Sequence, residues 1–563
     1  MTALLIALCA VAAPLDARNI EAGFEIPSEG YCDQPYVVVT EQGHWLCTLT
    51  TGAGREGDTR QHVVAAISSD NGRSWSPLID IEPPGPPESS WVMPLKTPSG
   101  RIYAFYDYNA ENMREVLNVD RKPIKRVDTL GHYVFKFSDD GGRTWSKNRY
   151  RVPIRTFEID RQNVYGGEVQ FLWGVGKPII HGGAAYVCLS KVGNFGDGFI
   201  TRSEGVFLRS ENILTESGPE KIQWETLPLG DIGLRAPAGP IAEEHNIAPL
   251  GDGSLYCTYR TTQGHPCHAY SRDSGRSWTP PAWMTYSPGG RSVKHPRAAN
   301  FVRRFANGKY VYWFHNHGGK SYEGRNPVWL CGGIERDGHI YWSQPEILLY
   351  HDDPAVRMSY PDFIEDDGRY FVTETQKSVA RVHEIDSNLL NALWGQFDSP
   401  KIARDGMALE RKTVKAQSET DMPKLDAQRG FTVEFVVRVD EPADKVLLES
   451  GELKISATPD SAVAFTAGDF RCESDPFVLT PKTPHRVSII FDAAPRILMF
   501  VVDGVLCDGA DVRPQGWYRL DPGERFKTGP GLSVKYPLSN LRVYTRPLLV
   551  SEAVNNARHS RRK

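Results

Sequence analysis

Short apolar runs alternate along this chain with clusters of turn-forming residues. The runs have the two-residue period of half-buried strands. HVVAAI (62–67), HYVFKF (132–137), CHAY (267–270), GKYVYWF (308–314), VWLCGGI (328–334) and RYFVTET (369–375) are of this kind. Helical spacing is scarce until SNLLNALW (387–394). A charged stretch without strand pattern follows at 403–416, and a second strand-rich unit starts near Phe431. It reads FTVEFVVRV, KVLLES, AVAFTA, HRVSIIFD and RILMFVVDG. The pattern predicts an all-β chain with a propeller over 19–400, a linker over 401–425 and a second β-rich domain over 426–556.

Three turns repeat one motif, S-x-D-x-G-x-S/T-W. They are SSDNGRSW (68–75), SDDGGRTW (138–145) and SRDSGRSW (271–278), each directly after a strand run. Asp suits such a turn because its carboxylate accepts backbone amides, and Gly because it tolerates positive φ. Three copies behind strands are a repeat signature. The gaps between them leave room for a further blade whose turn has diverged, at 210–225. About six blade-sized units fit between residues 25 and 395, which predicts a six-bladed β-propeller with a central funnel.

The apolar run at 3–13 is too short to span a bilayer as a helix. It fits the core of a secretory signal over 1–18, which places the protein in a secreted, periplasmic or cell-surface setting. No later segment is long and apolar enough to be transmembrane. Export permits disulfides, and Cys472 and Cys507 are the pair available in the C-terminal third. No CxxC pair occurs, so a zinc cluster is not expected. Formal net charge is −4 and no basic tract is present, which argues against nucleic acid as a partner. Thirteen Trp and 23 Tyr supply rings suited to stacking on sugars, and a glycan is the expected partner.

Asp-box turns in this arrangement resemble those of the sialidase (neuraminidase) superfamily, and the resemblance covers roughly residues 25–395; SNLRVYTRPLLVSEAVNNA with VVDGVLCDG resembles a laminin-G or concanavalin A-like domain, which implies a jelly-roll β-sandwich over 426–556. The sialidase resemblance implies a retaining glycoside hydrolase that needs no cofactor. In that family a Tyr attacks the sugar, a Glu assists it, an Asp protonates the leaving oxygen, and three Arg hold the substrate carboxylate. Bidentate Arg pairing supplies both energy and orientation for the last role. Carried over by motif, Glu244 in EEHNI is the base, and Arg260, sixteen residues on across a hairpin, is the second clamp. Arg325 in GRNP before VWLCGG is the third clamp, Tyr360 in MSYPD is the nucleophile, and Arg297 in KHPRAAN is a further funnel residue. The first strand departs from the family: Asp33, in YCDQP beside Gln34, stands where an Arg is expected, and Arg55 or Arg60 from the next strand could supply the charge. Asp58 is placed as the acid, with His62 as a rival proton shuttle.

His245, His265, His268, His295, His315 and His317 cluster in one stretch, and HNH would put His315 and His317 on one face of an extended strand. This opens a second expectation: a propeller lyase or glycosidase using His/Tyr acid–base chemistry on another acidic, uronate-containing glycan. A non-catalytic glycan-binding protein is the third. Under the first two, His62, His245, His315, Arg60, Arg297, Asp33 and Gln34 join Arg260 and Arg325 as substrate-binding candidates.

Overall fold

The computed structural model describes residues 15–197, 199–421, 425–521 and 527–561. The expected signal segment falls largely outside them. Six antiparallel sheets follow one another along the chain. Their first strands are Tyr31–Val39, Ser89–Lys96, Phe171–Trp173, Glu243–Pro249, Phe301–Arg304 and Ser359–Asp366, opening blades 1 to 6. The short strand Phe24–Ile26 pairs with Ala380–Ile385 as the outer strand of blade 6, so the N-terminal segment closes the ring. This is the six-bladed β-propeller.

All three Asp boxes join the third strand of a blade to its fourth, and their bonding is the same. In the first, Ser68 Oγ donates to Asp70 Oδ1 at 2.8 Å, and Asp70 accepts from Ser74 N at 2.9 Å and Ser74 Oγ at 2.6 Å. Asp140 and Asp273 repeat this with Thr144 and Ser277. The diverged copy in blade 3 occupies the same junction, where Asn212 Oδ1 accepts from Gln223 N at 2.9 Å. The boxes therefore sit at the outer edge of the blades and set their phase.

Two further antiparallel sheets, of seven and six strands, enclose their own core of Phe431, Phe435, Phe465, Phe500 and neighbours. This is the C-terminal β-sandwich. The expected linker instead contains two of its strands, Met407–Val414 and Ser418–Asp421. Both are edge strands, and edges tolerate charge because only one side is hydrogen-bonded. That charge hid their strand character. The last described element is the helix Val550–Arg561. Propeller and sandwich share an apolar cluster in which Tyr312 and Trp329 meet Met499, Trp517 and Tyr544. Cys507 is a buried thiol, so the bridge to Cys472 is not formed. No described helix is long and apolar enough to cross a membrane.

Candidate functional site

A cavity of about 190 Å³ opens at the end of the propeller where the first strands begin. A second, of about 490 Å³, lies where those strands end. The first concentrates the charge. Its wall carries Arg126, Arg260, Arg325, Arg357 and Lys377 with Glu56 and Glu244, and the rings of Trp91, Trp173, Phe199, Tyr322 and Tyr360. These residues come mainly from two places in each blade: the start of the first strand and the loop between the second and third strands.

A shared device aims the first-strand residues. Four first strands break register near their start, between Asp33 and Tyr36, Ser90 and Met93, Glu243 and Asn246, and Ser359 and Asp362. Within each break one non-glycine residue has positive φ: Gln34 (54°), Trp91 (64°), Glu244 (58°) and Tyr360 (48°). Such bulges re-aim side chains, and left-handed backbone at a bulky residue is costly enough to mark a functional constraint.

Tyr360 Oη donates to Glu244 Oε1 at 2.7 Å, with both residues buried. Arg260 Nη1 lies 2.8 Å from Glu244 Oε2. Its Nε contacts Glu243 at 2.9 Å, and Arg297 closes on Glu243 at 2.5 Å. Burial raises the Glu244 carboxyl above the usual range, against the opposing charge of Arg260. Burial also works to raise Glu243, but Arg260 and Arg297 together outweigh it and hold that carboxyl low. The Tyr360 phenol is pushed up by burial and by the Glu244 carboxylate, so it rests protonated. Arg325 donates to Ser359 Oγ at 2.6 Å and to Arg297 O at 3.4 Å.

Asp33 is buried and contacts Lys377 Nζ at 2.6 Å, while Tyr31 Oη donates to it at 3.0 Å. Burial pushes its carboxyl up to about 6 despite Lys377. Lys377 also reaches Glu56 at 3.1 Å and lies 4.3 Å from the centroid of the Tyr360 ring. The charge that Arg55 or Arg60 was expected to supply on the Asp33 side therefore comes from Lys377, in the loop after the second strand of blade 6.

Tyr360, Glu244, Arg260 and Arg325 thus meet at one cavity. Other candidates lie elsewhere. Asp58 is exposed and caps its own loop by accepting from Arg55 N at 2.7 Å, while Glu56, two residues earlier, faces the cavity. Arg60 is exposed, with its backbone bound to Glu88. Arg297 sits behind the wall on Glu243 and over the Phe199 ring at 4.8 Å. Gln34 is buried and donates to Gly174 O at 3.0 Å, tying blade 1 to blade 3.

None of the clustered histidines, nor His62, lines the cavity. His245 follows Glu244 and so points the opposite way, stacking on Tyr259 at 4.3 Å. His62 binds Glu82 O and Glu29. His315 lies past the strand end at Phe314 and stacks on His295, and Asn316 has φ 49°, so the extended face expected of His315 and His317 does not form. Burial lowers His245 and His295 to about 3. Unfolded histidine titrates near 6.5. Below that, the unfolded chain takes up protons that these rings refuse, so their stabilisation is present above pH 6.5 and is lost towards pH 3. Each is expected to cost about 1.4 kcal/mol per pH unit in that window. Urea unfolding at pH 7, 6, 5 and 4 measures it, and flat stability across that range would contradict it.

Glu56, Lys377, Arg126 and Arg357 have no fixed spacing to a motif. Trp91 was reachable by blade phase, since it occupies the bulge position of Glu244 and Tyr360.

The folded arrangement and its repeated turns define a BNR-repeat β-propeller followed by a β-sandwich. The family model of the BNR repeat-like domain matches residues 93–372, and the chain carries that domain. No curated protein matches the chain in sequence. Among solved structures it is similar to Trypanosoma rangeli sialidase, at 12% identity over 94% of this chain and 93% of that one, with a TM-score of 0.45. A protein of unknown function from Dyadobacter fermentans is 14% identical over 64% and 97%, with a TM-score of 0.45. A Hadza microbial sialidase is 16% identical over 63% and 66%, with a TM-score of 0.42. Likeness at this level says nothing about activity.

Proposed function

We propose that the protein is an exo-acting glycoside hydrolase of sialidase type that removes a terminal acidic sugar, sialic acid, from glycans with retention. The observation that carries this reading is the buried 2.7 Å hydrogen bond from Tyr360 to Glu244 in a cavity rich in cations. A phenol is a weak nucleophile until a base takes its proton. In the first step Tyr360 Oη bonds to the anomeric carbon and its proton passes to Glu244. The glycosidic bond breaks, and the leaving oxygen takes a proton from an acid on the wall. Water then reverses the sequence and frees Tyr360. Arg325 and Arg260 hold the sugar carboxylate.

Glu56 is the acid that position favours, in place of Asp58. It is 39% exposed at the cavity and shares Lys377 with Asp33. Loss of water against the cavity wall opposes its ionisation, yet Lys377 and nearby arginines hold it below the usual carboxylate range. Because cleavage needs Glu56 protonated and Glu244 ionised, kcat/KM is expected to be bell-shaped with an acidic optimum, falling as pH rises above the raised Glu244 range. A profile rising towards pH 8 would contradict this.

The Asp33–Lys377 pair in place of an arginine supports a second reading, an exo-hydrolase for a different acidic sugar such as a uronide. Histidine-based lyase chemistry has less support, because no histidine lines the cavity. Incubation with sialylated and uronide-capped oligosaccharides, read by mass spectrometry, tests both. Free sialic acid supports the first reading, saturated free uronate the second, and an unsaturated product or no product counts against both. Export and glycan contact by the sandwich belong to the same reading.

A further inference from the structure

The loop 508–519 of the sandwich reaches across to two propeller loops that border the cavity. Gly318 N donates to Pro514 O at 2.7 Å, and Trp517 Nε1 donates to Asn316 O at 3.0 Å. Arg519 donates to Asn326 Oδ1 at 2.8 Å and to His351 O at 3.1 Å. Asn326 is the neighbour of Arg325, and its own amide spans to His351 O at 3.0 Å and Asp353 O at 2.8 Å. Arg325 O in turn accepts from Met358 N, two residues before Tyr360. On the other side, buried Lys294 donates to Asp508 O at 3.0 Å and Arg513 O at 2.8 Å. Lys294 stands three residues before Arg297, which holds Glu243.

We infer that the sandwich is a positioning element of the active site, with Arg519 and Lys294 as positioning residues that fix the loops bearing Arg325 and Arg297. The consequence for turnover rests on the acid-sugar reading above. The physical grounds are the number and kind of the bonds. Neither cation forms its contacts through a flexible surface carboxylate. Both donate to fixed carbonyl or amide oxygens, and Trp517 seats the same loop against Trp329 at 6.1 Å between ring centroids. A clamp that must meet a carboxylate in one orientation loses much of its effect when displaced by an ångström. The sandwich therefore acts on the site without touching substrate.

The test uses the full chain and the variants Arg519→Met and Lys294→Met. Amide exchange across 315–327 is expected to rise about tenfold in Arg519→Met, with blades 1 to 3 unchanged. With 4-methylumbelliferyl N-acetylneuraminide, KM is expected to rise about 5- to 10-fold while kcat stays within about twofold. In an Arg325→Met background Arg519→Met should add no further rise, since both act through one interaction. Arg519→Lys, which keeps one donor, should recover part of the loss. Unchanged exchange in both variants overturns the inference, as does an equal rise over the whole propeller. If the unaltered protein does not cleave the glycoside, the sialic-acid reading fails, and the exchange result still decides the anchoring.

Discussion

Phenylalanine in place of Tyr360 is expected to lower kcat by about 10³-fold or more while the protein stays folded. The ring remains to fill its buried site beneath Lys377, and Glu244 keeps Arg260 at 2.8 Å, so no buried charge is stranded. What disappears is the one oxygen placed to receive the sugar and lose its proton to Glu244. If Tyr360 were only a core residue with its hydroxyl satisfied, the variant would retain near-normal turnover. Steady-state kinetics on the released sugar separates the two outcomes.

The second large effect is on stability. Arg260 spans Glu243 and Glu244, which are adjacent in sequence and both buried. Arg260→Met would leave Glu244 without its cation and Glu243 with Arg297 alone. Breaking one partner of a buried ionic network costs about 3–5 kcal/mol, chiefly because the remaining charge is uncompensated. Arg325→Met should behave differently. It removes a cation that binds Ser359 and a backbone oxygen, so its cost should fall on substrate binding. Urea denaturation with intrinsic fluorescence checks the contrast. Equal stability losses in the two variants would show that Arg325 is structural.

The scaffold was readable because its signals are local. Asp70, Asp140 and Asp273 each bond within five residues, so the turn chemistry is written in consecutive positions. The Glu244–Arg260 spacing was readable for a related reason: a hairpin sets it, and the structure pairs Glu243 directly with Arg260 across that hairpin. Tyr360 and Arg325 came from the resemblance of MSYPD and GRNP to the family's motifs rather than from any local physical signal, and both side chains line the cavity. Asp58 stays at the surface while Glu56, two residues earlier, turns inward, because the phase of a loop is not set by strand periodicity. Lys377 was missed because its partner Asp33 lies 344 positions away in sequence. Closeness in sequence did not carry the histidines to the cavity: strand alternation turns His245 away from Glu244 onto Tyr259, and His315 and His317 lie past the end of their strand. The sandwich edge strand at Met407–Val414 was hidden by its own charge.

The central claim is that Tyr360, activated by Glu244, forms a covalent bond with the sugar. The direct measurement is peptide mass spectrometry on protein acid-quenched during reaction with a 3-fluorinated sialosyl fluoride, whose glycosyl–enzyme intermediate turns over slowly. The account predicts one sugar-sized mass addition on the peptide containing Tyr360, absent in Tyr360→Phe. An addition on the peptide containing Glu244, or turnover with no addition at all, would contradict it.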